Sequence, residues 1–104
     1  MTIQAKFSYV ASAATGLDAW VQTSLDGGLT WIDVAEFNFT TASATKVANV
    51  VALTAVPVPV AVTDGSMAAN TTLQGVIGDL WRVKYTSVGT YGAGTTLVVT
   101  VQPR

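Results

Sequence analysis

The carboxylate side chains are the residues of this chain that could perform acid–base chemistry. There are six of them: Asp18, Asp26, Asp33, Glu36, Asp64 and Asp79. Glycoside hydrolysis needs two carboxyl groups that face one cleft. Asp33 and Glu36 lie three residues apart, so on a β-strand they point to opposite faces unless a bulge intervenes. No spacing brings two carboxylates together, and each is expected at a turn or on the surface.

The other side chains that usually catalyse reactions or bind metals are missing. The chain contains no histidine and no cysteine, which removes the usual general base, the commonest metal ligand and any thiolate nucleophile. The glycine-rich residues 89–94 lack the Lys-Ser/Thr pair and the following helix of a phosphate-binding loop. We therefore predict that the protein is not an enzyme and has no catalytic, cofactor-binding or metal-binding residue.

One local motif stands out, and its chemistry is that of a turn. Residues 24–31 read S-x-D-G-G-x-T-W and lie between two alternating apolar runs. The aspartate can accept hydrogen bonds from backbone N–H groups beyond it, and the two glycines tolerate the positive φ of a tight turn. The sequence predicts a β-hairpin turn, covered by the indole, that is built from Ser24, Asp26, Gly27, Gly28, Thr30 and Trp31.

This motif resembles the Asp-box, which recurs around sialidase propellers and also occurs singly in other β-proteins. A sialidase would need a propeller of several hundred residues and an arginine cluster. The chain has 104 residues, and its arginines are Arg82 and Arg104. In the sialidase family the Asp-boxes lie away from the catalytic site. The resemblance therefore implies a structural role for Asp26 and Trp31.

The composition limits the classes of partner. Charged residues make up 11% of the chain and the net charge is −1, whereas about 25% of residues are charged in ordinary soluble domains. The few basic residues are scattered, which argues against a nucleic-acid partner. The apolar residues 47–62 are fewer than the ~20 needed to span a bilayer, so we expect no membrane segment. Low charge favours a surface covered in an assembly; the alternative is an uncharged, threonine-rich surface that is simply soluble.

Aromatic side chains could form a platform for a sugar ring. Trp31 and Trp81 lie among alternating apolar neighbours, so they are interpreted as core or cover residues. Trp20 lies on the opposite face of its strand from the apolar residues, and Tyr91 falls in a glycine-rich loop. Trp20 and Tyr91 are therefore the candidates for a ligand or partner surface.

Alternation of apolar and polar residues is the dominant pattern of the chain, with turn residues at intervals of roughly 8–12 positions. No amphipathic helix of useful length is present. The pattern predicts a single all-β domain over residues 1–104. We expect an antiparallel β-sandwich of seven to eight strands, with jelly-roll and immunoglobulin-like topologies both open.

Two irregularities interrupt this alternation. A shift of the apolar phase between Val34 and Phe37 predicts a bulge near Ala35-Glu36. In residues 56–62, valines alternate with two prolines that remove donors from one edge only. This segment is expected to form a strand at the edge of a sheet, where it would resist the addition of another strand.

The order of these parts carries a wider resemblance. It runs from WVQTSLDGGLTWIDVA at residues 20–35, through the valine-rich middle, to GDLWRVKY at residues 78–85. Over residues 17–102 the chain resembles the small all-β virion proteins encoded among the structural genes of tailed bacteriophages. The resemblance implies a non-enzymatic protein that decorates or cements the capsid shell. It maps no catalytic motif onto this chain.

Three functional hypotheses remain open. The resemblance implies a homo-oligomer that binds the major capsid protein or other virion proteins, and a location in the virion after assembly in the host cytoplasm. A protein of the head–tail junction or the tail is an alternative. The other is a small carbohydrate-binding module that uses Trp20 and Tyr91 to attach to a host or surface glycan.

Overall fold

A computed structural model describes residues 1–103, and over that range it contains strands but no helix. The strands are β1 (Thr2–Ser8), β2 (Gly16–Ser24), β3 (Ile32–Phe39), β4 (Ala44–Asn49), β5 (Leu80–Val88) and β6 (Thr96–Gln102). They form two three-stranded antiparallel sheets. Sheet A has the order β4-β1-β6, and sheet B has the order β3-β2-β5. The prediction of an all-β, sandwich-like fold is confirmed at this level.

Alternation along the strands explains how the two sheets pack. In β1, Ile3, Ala5 and Phe7 are buried, whereas the residues between them are exposed. Phe7 of sheet A stacks on Phe39 of sheet B with ring centroids 5.0 Å apart. A fully buried side chain of this size contributes about 1.5–3 kcal/mol. A one-residue slip would turn this whole set outward, so the core fixes the register of the strands.

The predicted number of strands is wrong, because six strands form within residues 1–103 rather than seven to eight. The difference lies in the connection between β4 and β5, where residues 56–62 do not form the expected edge strand. In the described part of the chain, residues 55–62 make no backbone hydrogen bond at all. Pro57 and Pro59 lack two of the donors that a sheet ladder needs, and the segment lies exposed at the surface.

A bulge does interrupt the pairing of β2 with β3, slightly earlier than the sequence predicts. Val21 pairs with Ala35 and Gln22 pairs with Asp33, so Val34 is the extra residue. Because of this extra residue, Asp33 and Glu36 point to the same face of the sheet, whereas a regular strand would point them to opposite faces. Asp33 faces the same side as Gln22, and Glu36 faces the same side as its partner Trp20. Both acidic side chains therefore lie on the outer face of sheet B.

The sandwich is closed along one side and open along the other. At the closed side β3 approaches β4. At the open side a groove of about 630 Å³ lies between β5 and β6 and is lined by residues of both strands. Since β5 pairs with β2 and β6 pairs with β1, each presents a free backbone edge at this groove.

Candidate functional site

The turn between β2 and β3 is closed by two side chains. The Ser24 hydroxyl donates to the Asp26 carboxylate and accepts from the Gly28 N–H, both at 2.9 Å. Asp26 also accepts from the Thr30 N–H at 2.8 Å, and this bond lowers the pKa of the Asp26 carboxyl. Gly27 and Gly28 have φ of 74° and 94°, a region that favours glycine. The arrangement fixes a turn and offers no reactive group.

Trp31 lies against this turn and beneath a cation. The Arg82 guanidinium is 4.3 Å from the centroid of the Trp31 ring. A side chain at Gly28 would come within 3.6 Å of the same ring. Trp31 is half-buried, so the indole covers the turn and joins it to β5 without entering the core.

The outer face of sheet B is covered by residues 63–73, which we call the cover. The cover also lies along the free edge of β3: the Asp33 N–H donates to Thr63, the Glu36 N–H donates to Thr71, and the Leu73 N–H donates to Val34. It therefore protects an edge strand that would otherwise offer unpaired backbone groups.

Asp33 holds one end of the cover. Its carboxylate accepts the backbone N–H groups of Gly65, Ser66 and Met67 and the hydroxyl of Thr63 at distances of 2.7–3.1 Å. Burial acts to raise the pKa of Asp33, but the hydrogen bonds outweigh it and the net pKa is lowered. The aspartate is 1% exposed. A buried carboxylate with this many donors is a structural anchor.

Gln22 connects this anchor to β5. Its amide nitrogen donates to Asp33 and to Asp64, each at 2.7 Å, and its amide oxygen accepts from Arg82 at 2.6 Å. Arg82 and Lys84 also form ion pairs with Asp64 at 3.3 and 3.2 Å. Gln22 has no exposed surface. The network runs from the buried side chains of Gln22 and Asp33 to Asp64 of the cover and to Arg82, which are partly exposed.

Trp20 belongs to the same covered face. The side chain is 7% exposed, and its indole N–H donates to the Met67 carbonyl oxygen at 3.1 Å. The polar-facing position that the sequence indicated is correct, but the cover buries it. Trp20 and Tyr91 therefore lie on different faces and form no common surface.

Glu36 holds the other end of the cover and carries an unusual carboxyl group. It is 2% exposed; one oxygen accepts from the Asn70 N–H, and the other has no hydrogen-bond partner in the described part of the chain. Burial raises the pKa of Glu36 to about 7, the Asn70 N–H opposes this, and the neighbouring Asp18 adds to the rise. Asn70 adopts a positive φ of 55° at this contact.

The outer face of sheet A is bare, and we call it the bare face. Register places on it Thr2, Gln4, Lys6, Thr45, Val47, Asn49, Thr96, Val98, Thr100 and Gln102. Lys6 is the one charged side chain of this set. Val47 and Val98 are 64% and 55% exposed, so the face combines apolar side chains with threonine and amide groups.

The groove between β5 and β6 is also uncharged. Val83 and Tyr85 point toward the inside of the sandwich but are 40% and 68% exposed. Leu97 and Val99 line the opposite wall. Tyr91 closes one end: its ring packs edge-on against Phe7 at 5.4 Å, and its hydroxyl donates to the Thr40 carbonyl oxygen at 2.8 Å.

Within residues 1–103, no group of three or more acidic, histidine or cysteine side chains is arranged to hold a metal ion. The same range contains no helix long and apolar enough to cross a membrane.

Comparison with known proteins found no matching family model, no similar curated protein and no similar solved structure.

Sequence reasoning missed two features of the molecule. The first is the network of Gln22, Asp33 and Asp64, whose members are up to 42 residues apart. Its available signal was Gln22 and Asp33 on two neighbouring predicted strands, followed by the Asp64-Gly65-Ser66 turn. The second is the groove, because the position of Tyr85 on the apolar face of β5 predicts burial, whereas the open side leaves it exposed.

Proposed function

We propose that this protein is a non-enzymatic structural subunit that decorates or cements a bacteriophage capsid, and that its bare face binds the major capsid protein. The resemblance to small phage virion proteins supports the virion location. The observation that carries the choice of surface is the nearly uncharged outer face of sheet A, with Val47 and Val98 exposed among threonines.

The composition of the bare face suits a contact with another protein. The centres of protein interfaces are depleted in charged residues, because a buried charge that is imperfectly paired costs several kcal/mol. Lys6 alone would need such a partner here. Threonine side chains keep the face hydrated before binding, and their hydroxyls can donate and accept within the interface. Sheet B cannot serve in the same way, because the cover already occupies its outer face.

A direct test uses virions purified from the phage that carries the gene. Mass spectrometry should find the chain among the structural proteins, and antibodies should label the head. Absence from purified virions would contradict the proposal. Label confined to the tail or the head–tail junction would support the accessory-protein alternative instead.

Variants then test the bare face itself. Purified capsids lacking the chain are mixed with the wild-type protein, Val47→Asp or Val98→Asp, and sedimented. Each aspartate places an unpaired charge in the proposed interface, so we expect loss of co-sedimentation. Leu29→Asp is the matched control, because Leu29 is 88% exposed on the hairpin turn. Equal binding by all four proteins would show that the bare face is not the surface that binds the capsid.

A second candidate function, glycan binding, is favoured by the groove. Tyr85 and Tyr91 both line it, together with threonine hydroxyls, and aromatic rings beside polar groups are typical of sugar sites. This candidate replaces the Trp20–Tyr91 pair, which the fold separates. Binding on a glycan array that disappears in Tyr85→Ala would support it, and a blank array would exclude the glycans displayed.

A further inference from the structure

The chain carries an apolar segment that its own fold covers only in part: Gly75 lies against its first half, where the Gly75 N–H donates to the Val51 carbonyl oxygen. We call residues 51–62 the arm. It contains no charged residue, and its exposed large side chains are Val51, Leu53, Val56, Val58, Val60 and Val62. Leu53 and Val58 are 94% and 70% exposed. An exposed apolar run of this kind marks an interaction site in a soluble protein.

The groove exposes side chains that would normally lie in a core, and it is bordered by strand edges without a pairing partner. Its twelve lining residues are all uncharged, and Tyr85 is an inward-facing side chain that remains 68% exposed. The free edges of β5 and β6 border it, so unpaired backbone donors and acceptors lie beside apolar side chains. An extended apolar segment could satisfy both needs by adding as a strand and filling the groove with alternate side chains.

We propose that the arm of one copy of this chain binds in the groove of a second copy. Both surfaces are present on every molecule, both are largely apolar and free of charge, and both keep exposed apolar side chains within the described part of the chain. The backbone of residues 55–62, which makes no hydrogen bond there, gains partners at the free edge. The proposal concerns the arm and the groove, which share only Thr96 with the bare face, and it stands independently of capsid binding.

The prolines allow only one edge of the arm to pair with another strand. In an extended segment the N–H groups of alternate residues point to the same edge. Val56, Val58, Val60 and Val62 therefore offer donors on one edge, whereas Pro57 and Pro59 remove them from the other. The arm can pair with β5 or β6 through its valine edge, and its proline edge stops further strand addition.

The size of the contact favours mutual exchange. Stable interfaces usually place about 20–30 residues on each side. One arm in one groove involves the twelve residues of each, which is about half of that size. If each copy inserts its arm into the other, both contributions double and the dimer closes with twofold symmetry. The expected species is a symmetric, arm-exchanged dimer.

The mass in solution tests the dimer. Sedimentation equilibrium of the wild-type protein should give twice the mass of the 10.8 kDa chain. Val58→Asp in the arm and Val83→Asp in the groove should each give a monomer, whereas Leu29→Asp should remain a dimer. A wild-type monomer at all concentrations, or a Val58→Asp dimer, would overturn the proposal. A mass that keeps rising with concentration would overturn mutual exchange in favour of head-to-tail addition.

Engineered cysteines then test the contact without relying on destabilising changes. Because the chain has no cysteine, a Val58→Cys protein mixed with a Val83→Cys protein can form a disulfide only between the introduced residues. We expect a disulfide-linked heterodimer under mild oxidation and none when Leu29→Cys replaces Val58→Cys. Equal yields from both mixtures would contradict the proposed contact. A glycan that bound the groove of the wild-type dimer without dissociating it would contradict the proposal as well.

Discussion

The outer faces of the two sheets differ in what covers them and in where the charges lie. On sheet B, residues 63–73 bury Asp33, Glu36 and Gln22 under a network of hydrogen bonds that extends to Arg82. On sheet A, the outer face carries Lys6 as its charged residue and leaves Val47 and Val98 exposed. Both faces are built from antiparallel strands of similar length.

Under the proposed function, sheet B supplies internal structure and the bare face supplies the external contact. Charged groups on sheet B have partners within the same chain, and those partners hold a segment that has no strand of its own. On the bare face, Lys6 is the one charged side chain. Little free energy would therefore be needed to remove water from charged groups when another protein covers this face. The contrast predicts that changes on sheet B alter stability, whereas changes on the bare face alter binding.

The largest expected effect comes from Asp33→Ala, which removes the anchor of the cover. Three backbone N–H groups and the Thr63 hydroxyl would lose their acceptor. Because hydrogen bonds to a charged group contribute about 1.5–3 kcal/mol each, and these bonds are part-buried, we expect the free energy of unfolding to fall by about 3 kcal/mol or more. Urea denaturation measures it, with Thr100→Ser on the bare face as the control, expected within about 0.5 kcal/mol of wild type. Similar free energies of unfolding for Asp33→Ala and Thr100→Ser would contradict the proposed difference between the two sheets.

A smaller loss is expected from Asp26→Ala in the hairpin turn. The Thr30 N–H and the Ser24 hydroxyl lose a partner, so the register of β2 and β3 is held less firmly. Thermal unfolding should occur at a lower temperature, while binding to capsids at saturation stays unchanged. Lost binding with unchanged thermal stability would show that the turn acts as a contact site.

The next effect is a pH dependence that belongs to Glu36. Its pKa rises from 4.5 to about 7 in the folded protein, so between these values the native state holds a proton that the unfolded state releases. The free energy of unfolding therefore falls as the pH rises from 4.5 to 7, and this contribution is constant above 7.

Glu36→Gln removes this group from titration. Denaturation of the variant and the wild type from pH 5 to pH 8 should show a stability advantage of the variant that grows up to about pH 7 and is constant above it. A difference that is the same at every pH, or that shrinks as the pH rises, would contradict the assignment.

The smallest effect on stability is expected from Val98→Thr on the bare face. Threonine has nearly the shape of valine and suits a strand equally well, so the free energy of unfolding should change by less than about 0.5 kcal/mol. Affinity for capsids should nevertheless fall, because apolar contact area is lost. Unchanged affinity, measured by co-sedimentation titration, would weaken the assignment of this face.

The sequence predicted the parts of this fold that depend on neighbouring residues. The turn from Ser24 to Trp31 and the alternation of Ile3, Ala5 and Phe7 can be read locally, because turn chemistry and a period of two are local properties. They predicted two-layer β-structure and the hairpin between β2 and β3.

The remaining features depend on contacts that no local pattern contains. The alternation of valine and proline in residues 56–62 is compatible with an edge strand, but it does not show whether a neighbouring strand is available to pair with this segment. The bulge at Val34 shifts the register by one residue, which is enough to bring Asp33 and Glu36 to one face. The cover forms because Asp33 meets Gly65, 32 residues away.

Hydroxyl-radical footprinting of the free and capsid-bound protein distinguishes the two outer faces, since it reports the solvent exposure of individual side chains. We expect Val47 and Val98 to become protected on binding, while residues of the cover react as in the free protein. Protection of the cover with unchanged reactivity of Val47 and Val98 would show that the bare face is not the binding surface.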